Sequence, residues 1–402
     1  MKPLEGVKVI EFSNWLAAPT VGRNLADWGA DVIKIEPLGG DVWRGNGPAQ
    51  NCPLIPDVVN PNFDNENLNK RWISVDTKKS EGLEIIFKLL ETAAVFITNY
   101  RTPLLEKLGL DYESLRKRYP SLVYAHILGY GPKGPDAEKP GFDYTVFYAR
   151  SGIMADLAPA GGPPVNAFTG MGDHTAAACL TAGVLAALYR RTVSGVGDYV
   201  SASLLQAACY VLGTPLMTGF YGTSLNKKRE QAKQPFSNTF QGSDGEWLYL
   251  AASNFVRDFP KCCKLIGRPE LIDDPRCSSI GEAKKHIEEI VAIIDEAFKE
   301  KPRDEWFDIF TAADLPVERV QHVHETCHDV QALENNYIRK YTYSDGTEAI
   351  ASGSPATFAS FDAGEEKVNY SGRIGRDNDT VLAEYGYSAE EIAAMRENGL
   401  IA

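Results

Sequence analysis

Residues 6–36 read GVKVIEFSNWLAAPTVGRNLADWGADVIKIE, and how this stretch divides decides the fold. GVKVIEF (6–12) and ADVIKIE (30–36) have the Val and Ile content of buried strands. The segment between them, with Leu25, Ala26 and Trp28, is long enough for a connecting helix. The pattern then repeats. SEGLEIIFKLLETA (80–93) puts Leu83, Ile86, Leu89 and Leu90 on one helical face, with Ser80 as its expected cap. AVFITNY (94–100), a short helix at 112–118 and SLVYAHILGYG (121–131) extend the series. Repeated βαβ units imply an α/β fold with a mostly parallel sheet covered by helices.

Beyond residue 131 the character changes. Residues 132–172 are rich in Pro and Gly and read as a long irregular connection. A helix over 174–190 follows, then the turn SGVG and a strand in DYVSASL. NKKREQAKQ (226–234) is a candidate linker. After it, EWLYLAAS reads as a strand, and AKKHIEEIVAIIDEAFKE and RDEWFDIFTAA read as amphipathic helices. The expected division is a large domain from 1–224, a smaller α+β domain over 225–325, and a return to the large domain over 326–402. SAEEIAAMREN signals a final helix.

Composition narrows the function. A chain of 402 residues, 44% hydrophobic and with net charge −13, is a globular protein with a sizeable core. Its acidity argues against nucleic acid or an anionic membrane as partner, because both require a basic surface. The N-terminus enters a strand pattern without the features of a signal peptide, and the uncharged helical part after residue 173 is short for a membrane span. A cytoplasmic protein is expected. Seven cysteines without CxxC spacing read as reduced thiols.

The most informative segment for chemistry is FTGMGDHTAAACLTAG (168–183), where Asp173 is the only Asp, Glu, Lys or Arg between Asp156 and Arg190. GMGDHTA partly matches the dinucleotide fingerprint, but GGPPVNAFT before it makes a poor strand and an Asp in the turn repels pyrophosphate. The plain alternative for Asp173 is a helix N-cap, which is what most Asp residues at helix starts are. Gly170 and Gly172 weaken it, since they let the backbone approach a ligand, and the small residues from Thr175 to Ala178 leave space. A lone ionised carboxylate beside glycine N–H groups suits nucleophilic attack with oxyanion support from Gly170 and Gly172. His322, His324, Cys327 and His328 in HVHETCHD invite a metal reading, yet no second ligand pair has the usual spacing. No metal is expected there.

Seven motifs in order, PLEGVKVIEFSNWLAAP, LADWGADVIKIEPLGGDVWR, LNKRWISVD, LGLDYESL, ILGYGPKGP, PGFDY and GMGDHTAA, resemble those of the family III CoA-transferases along the whole chain. The resemblance implies a Rossmann-like large domain, a smaller inserted domain, and a homodimer of two interlocked rings. It implies no permanently bound cofactor, coenzyme A thioesters as substrates, and Asp173 as the catalytic carboxylate. It also assigns CoA contacts to Asn69 and Lys70 in LNKR, to Asn99, Tyr100 and Arg101 in TNYR, to Lys107 in LLEKLGL and to Gly131; Arg44 and Arg71 are further candidates, of which Arg71 reads better as an ordinary solvated side chain.

Departures from the family narrow the substrate. Leu16 stands where formyl-CoA transferases carry Gln, and QPFSNTFQG where they carry a glycine-rich loop, so oxalate and formyl-CoA are not expected. DYTVFYARSG is similar to the 2-hydroxyacid CoA-transferases of amino-acid-fermenting anaerobes, which implies an aryl-lactate or 2-hydroxyisocaproate and an acyl pocket at Trp15, Leu16, Phe147 and Tyr148. The alternatives are an acyl-CoA racemase of the same fold, disfavoured because Phe142 holds the position of its histidine, and a non-catalytic acyl-CoA-binding protein.

Overall fold

In the computed structural model, which describes residues 1–46, 52, 60–222, 225, 228–361 and 368–402, the opening stretch forms β1 (Lys8–Phe12), α1 (Ala17–Asp27) and β2 (Asp31–Glu36). β1 pairs in parallel with β2 on one side and with β4 (Val95–Thr98) on the other. With β3 (Arg71–Ser74), β5 (Val123–Leu128) and β6 (Tyr199–Ser203), the six strands run in the order β3-β2-β1-β4-β5-β6, every pair parallel. Strand order reverses between β1 and β4. Open α/β sheets place their ligand crevice at such a point, beyond the carboxyl ends of the strands.

The helices of this unit are α1, α2 (Pro61–Asp64), α3 (Ser80–Leu90), α4 (Thr102–Leu108), α5 (Tyr112–Arg118), α6 (Ile153–Asp156), α7 (Met171–Ser194) and α8 (Leu204–Val211). Alternation along β1 sends Ile10 and Phe12 into a core with Ile86 and Leu89 of α3 and Leu115 of α5. The opposite face carries α1 and α7, which pack on each other and on the sheet. Two helices near the C-terminus, Asn378–Glu384 and Ala389–Glu397, join the first core through Val381, Leu382 and Ile392. Their loops close the outer edge of β3: Asp377 and Asn378 side chains accept the N–H groups of Trp72 and Ser74 at 2.8 and 2.9 Å. The sheet edge is thereby kept from pairing with another chain.

The chain divides into two compact units, one of Met1–Ile153, Asn166–Thr214 and Val330–Ala402, the other of Met154–Val165 and Pro215–Asp329. The second unit has a three-stranded antiparallel sheet, β7 (Ser237–Gln241), β8 (Trp247–Ala251) and β9 (Val317–Arg319), over an aromatic core that includes Phe240, Phe298 and Phe310. The expected 225–325 segment lies inside this unit, which begins earlier and takes in residues 154–165 as well. The start of the expected linker, residues 226–227, lies outside the described residues.

Several local expectations change. β3 had no reading as a strand, because RWIS is only four residues long. Ser80 does not cap α3; Lys79 occupies the cap without a side-chain bond, and Ser80 Oγ donates to Glu81 instead. The single helix expected around 283–300 breaks at His286 into Ile280–Lys285 and Ile287–Phe298. Residues 144–150 of the supposed irregular connection wind as a π-type helical turn. α7 is longer than 174–190. At 24 residues it is long and apolar enough to cross a bilayer by length and composition, and here it packs along α1, β5, β6 and α8.

Candidate active site

α7 begins earlier than its own sequence predicts because another segment caps it. Asp143, buried just before the π-type turn, accepts the N–H groups of Gly170 at 2.8 Å and Gly172 at 3.0 Å. These are the first, otherwise unpaired donors of the helix. Gly170 has φ +87°, a left-handed conformation that favours glycine, and a Cβ on Gly172 would meet Asp143 Oδ1 at 2.2 Å and Phe147 Cγ at 2.3 Å. Both glycines therefore serve the cap. Their amides are occupied by Asp143, which corrects the expectation that Gly170 and Gly172 support an oxyanion or let a ligand approach.

Asp173 is thus released from capping. It lies in the first turn of α7 and lines a cavity of about 420 Å³ with Asn14, Trp15, Leu16, Asn99, Tyr100 and Arg101. Burial, then the charge of Asp143, push its carboxyl up to about 7; Glu66 adds to the rise and His174 opposes it. The expectation of a fully ionised carboxylate at neutral pH is replaced by one that titrates there. The cavity sits where the strand order reverses. Across that point Asn14 N–H donates to Asn99 Oδ1 at 3.1 Å and Asn99 Nδ2 donates back to the Asn14 carbonyl at 2.7 Å, joining the loops after β1 and β4.

Trp15 holds φ +63°, a backbone conformation that costs a non-glycine residue about 1–3 kcal/mol. A buried charge network secures it. Asp41 accepts Trp15 N–H at 3.2 Å and pairs with Lys34 at 2.9 Å; Lys34 also pairs with Glu11 at 2.9 Å and donates to the Ser13 carbonyl. The indole then stands edge-on to Phe142 at 5.6 Å, and both rings line the cavity. In the sequence Phe142 marks only the place of a missing histidine; its proximity in space to Trp15 is not legible there.

The other expected site residues separate into two groups. Asn99, Tyr100 and Arg101 reach the cavity, as do Trp15 and Leu16. Phe147 and Tyr148 are buried away from its lining: Phe147 packs on Gly172 and Tyr148 Oη donates to Met171 Sδ at 3.0 Å. Lys70 is fully buried and spends its ammonium on Glu11 (2.8 Å), the carbonyls of Pro19 and Glu66, and Asn67. No donor is left for a phosphate, which corrects the expectation that Lys70 contacts CoA. Asn69 clamps Asp27 and Asn369, Arg44 is bound to Glu36, and Arg71 bridges Asp31 and Glu384. Lys107 is exposed on the last turn of α4, and Gly131 is buried at φ +104°; neither lines the cavity, whereas Gly129 and Lys139 do. Lys139, whose ammonium lies 5.3 Å from the Tyr130 ring centroid, is a cation that the sequence reading missed, since it sits in a Pro/Gly-rich loop with no motif.

Among the described residues no three His, Cys, Asp or Glu side chains converge to hold a metal ion. His322 instead caps the short helix Val323–Thr326, in a reciprocal box with Glu325. The cysteines are free thiols.

A parallel α/β unit with the carboxylate of Asp173 at a helix start, lining a partly apolar crevice with cations at its rim, has the parts that covalent group transfer requires. The chain belongs to CoA-transferase family III, which it matches over residues 4–369. It is 39% identical over 398 residues to the (R)-2-hydroxy-4-methylpentanoate CoA-transferase of Clostridioides difficile, covering 99% of each chain. It is 37% identical over 397 residues to the cinnamoyl-CoA:phenyllactate CoA-transferase of Clostridium sporogenes, covering 98% of this chain and 96% of that protein. The crystal structure of a CaiB/BaiF family protein from Brucella suis superposes with a TM-score of 0.81 at 27% identity, over 96% of this chain and 99% of that one. The chain is a CoA-transferase.

Proposed function

We propose that this enzyme moves CoA from an acyl-CoA thioester to a 2-hydroxy acid with an apolar side chain, of the aryl-lactate or 2-hydroxyisocaproate kind, with Asp173 as the covalent carrier. One observation carries the reading: among the described residues the cavity is lined by two carboxylates, Glu138 and Asp173, and Asp173 is the one at the helix start, which another acid has relieved of capping. An Asp173 oxygen attacks the thioester carbonyl, and collapse expels CoA thiolate, leaving a mixed anhydride. The thiolate attacks the aspartyl carbonyl, releases the donor acid and forms an aspartyl-CoA thioester. The incoming carboxylate displaces the thiolate through a second anhydride, and the thiolate takes the new acyl group, restoring Asp173. Each step exchanges one acyl bond for another, so no ATP is consumed.

The first amides of α1 support this chemistry. α1 begins at Ala17 without a side-chain cap, and Leu16 and Ala17 line the same cavity as Asp173. Those amides and the positive end of the helix take over the oxyanion role from Gly170 and Gly172. Arg101 and Lys139 suit the CoA phosphates, and the Trp15–Phe142 pair suits a branched or aromatic acyl side chain. The names of the two clostridial relatives support the acid class. A Rossmann-like sheet, an interlocked homodimer and a cytoplasmic setting complete the reading.

Mass spectrometry of the protein mixed with an acyl-CoA tests it. The expected result is a CoA adduct on the peptide holding Asp173, absent from Asp173→Asn, together with a loss of exchange on the order of 10³-fold or more in that variant. A folded Asp173→Asn enzyme that exchanges at the wild-type rate overturns the proposal, as does exchange by the wild-type chain without any adduct; binding with neither adduct nor exchange is the outcome a non-catalytic protein would give. α-Deuterium uptake by a chiral acyl-CoA in deuterated water, with no acceptor acid present, shows a racemase.

A further inference from the structure

Three carboxyl groups, those of Asp143, Asp173 and Glu66, crowd the start of α7, and each is close enough to influence Asp173 or its neighbour. Asp143 has spent both oxygens on backbone amides. Glu66 is buried, with Oε1 held by Asn65 Nδ2 at 2.7 Å and Oε2 without a hydrogen-bond partner among the described residues. A buried carboxylate so placed demands a counter-charge. The group that meets it is His174, whose Nε2 lies 3.1 Å from Glu66 Oε1.

We propose that His174, fixed by Glu66, is the positioning cation that holds Asp173 in its nucleophilic, ionised form; this rests on Asp173 being the carrier described above. His174 itself does not line the cavity, so it acts through Asp173 and not on the substrate. The placement of Glu66 is secured from below, because its carbonyl accepts a bond from buried Lys70 at 2.9 Å, and Lys70 is tied in turn to Glu11. The sequence motif GMGDHTAA thus carries two working residues, one lining the cavity and the next paired with a buried carboxylate.

The electrostatics around His174 agree. Burial works against its charge, but the hydrogen bond and charge of Glu66, followed by the charge of Asp173, outweigh burial and raise its pKa; Arg23 on α1 opposes. Reciprocally, His174 is the cation that lowers Asp173 against Asp143 and Glu66. When Asp173 becomes an anhydride or thioester it loses its negative charge, and His174 loses part of its reason to stay protonated. Return of the carboxylate restores it. The imidazolium therefore favours the free, reactive state of Asp173 after each turnover.

The test compares the pH dependence of kcat/KM and of single-turnover CoA-adduct formation in wild type, His174→Gln and His174→Lys. Adduct formation by the wild-type chain is measured first: its absence overturns the carrier reading itself, before any His174 variant is made. Removing the cation raises the pKa of Asp173, so the acid limb of His174→Gln is expected to move up by about one pH unit, a loss of about tenfold below the limb that shrinks as pH rises. His174→Lys, which restores a cation, is expected to move the limb back. A loss equal at every pH, or a limb that stays in place, overturns the proposal. Should His174→Gln not fold, ¹³C-histidine NMR on the wild type, Glu66→Gln and Asp173→Asn decides. The pKa of His174 is expected to fall in both variants, and a value unchanged in both overturns the proposal.

Discussion

Asp173 carries opposite consequences for activity and stability. With its carboxyl pushed up to about 7, only the ionised fraction attacks, so kcat/KM is expected to rise about tenfold per pH unit below 7 and to level off above it. Stability runs the other way. The folded pKa lies above the unfolded value of 3.8, so the fold is favoured below pH 3.8 and loses that advantage as pH rises through about 7. Asp173→Asn is therefore expected to melt about 2 °C or more above wild type at pH 8, and close to it near pH 4, in thermal unfolding followed by circular dichroism. Lys70 and Arg101 form a second contrast. Arg101 is exposed at the cavity rim, whereas Lys70 is fully buried among Glu11 and backbone carbonyls, where burial brings its pKa down to about 8. Lys70→Met leaves Glu11 a partner short in the interior, at a cost of about 3–5 kcal/mol. Its expected signature is a lowered Tm, while Arg101→Ala is expected to raise KM for acyl-CoA about tenfold at unchanged Tm. The reverse pattern would return Lys70 to the ligand.

At the level of elements, the start of α7 depends on a residue about 30 positions away in sequence, which the local pattern of FTGMGDHT does not contain. Asp143→Ala is expected to unravel the first turn, costing about 1–2 kcal/mol by the usual worth of a cap. It is also expected to cut kcat more than KM, because Asp173 moves with that turn; a Tm and kcat both at wild-type level would show the cap to be idle. The same example explains what was legible beforehand. β1, β2, β4, β5, β6 and the 112–118 helix follow from apolar spacing within one segment, and so does the isolation of Asp173. Lys70, Phe147 and Tyr148 were misplaced because a motif match states which residues occur near a site in a family and not which way each points. The sheet's alternation sends Glu11 and Lys34 inward, and the charge pairs they make with Lys70 join segments far apart in the chain. Asp143, Phe142 and Lys139 were missed for the same reason: each acts across a loop rich in Pro and Gly that carries no periodic signal.

For the whole molecule, the apolar surface left uncovered points to an assembly. Tyr189 and Val193 on α7 are 75% and 76% exposed, and Tyr210 on α8 is 78% exposed. Soluble chains seldom leave several large apolar side chains on adjoining helices open to water without covering them in an assembly. α7 and α8 pack on one another, so these side chains lie on neighbouring elements of one unit. The expected outcome of sedimentation equilibrium is therefore a particle of twice 44.1 kDa. Tyr210→Glu with Val193→Glu places two charges where burial is required, each costing several kcal/mol if the face is covered, so the double variant is expected to shift mass toward the monomer or to fail to assemble, while its surface site leaves an uncovered face unaffected. A wild-type chain that sediments as a monomer, or a double variant that assembles like wild type, would mean that this face is open in solution and that the homodimer reading is wrong.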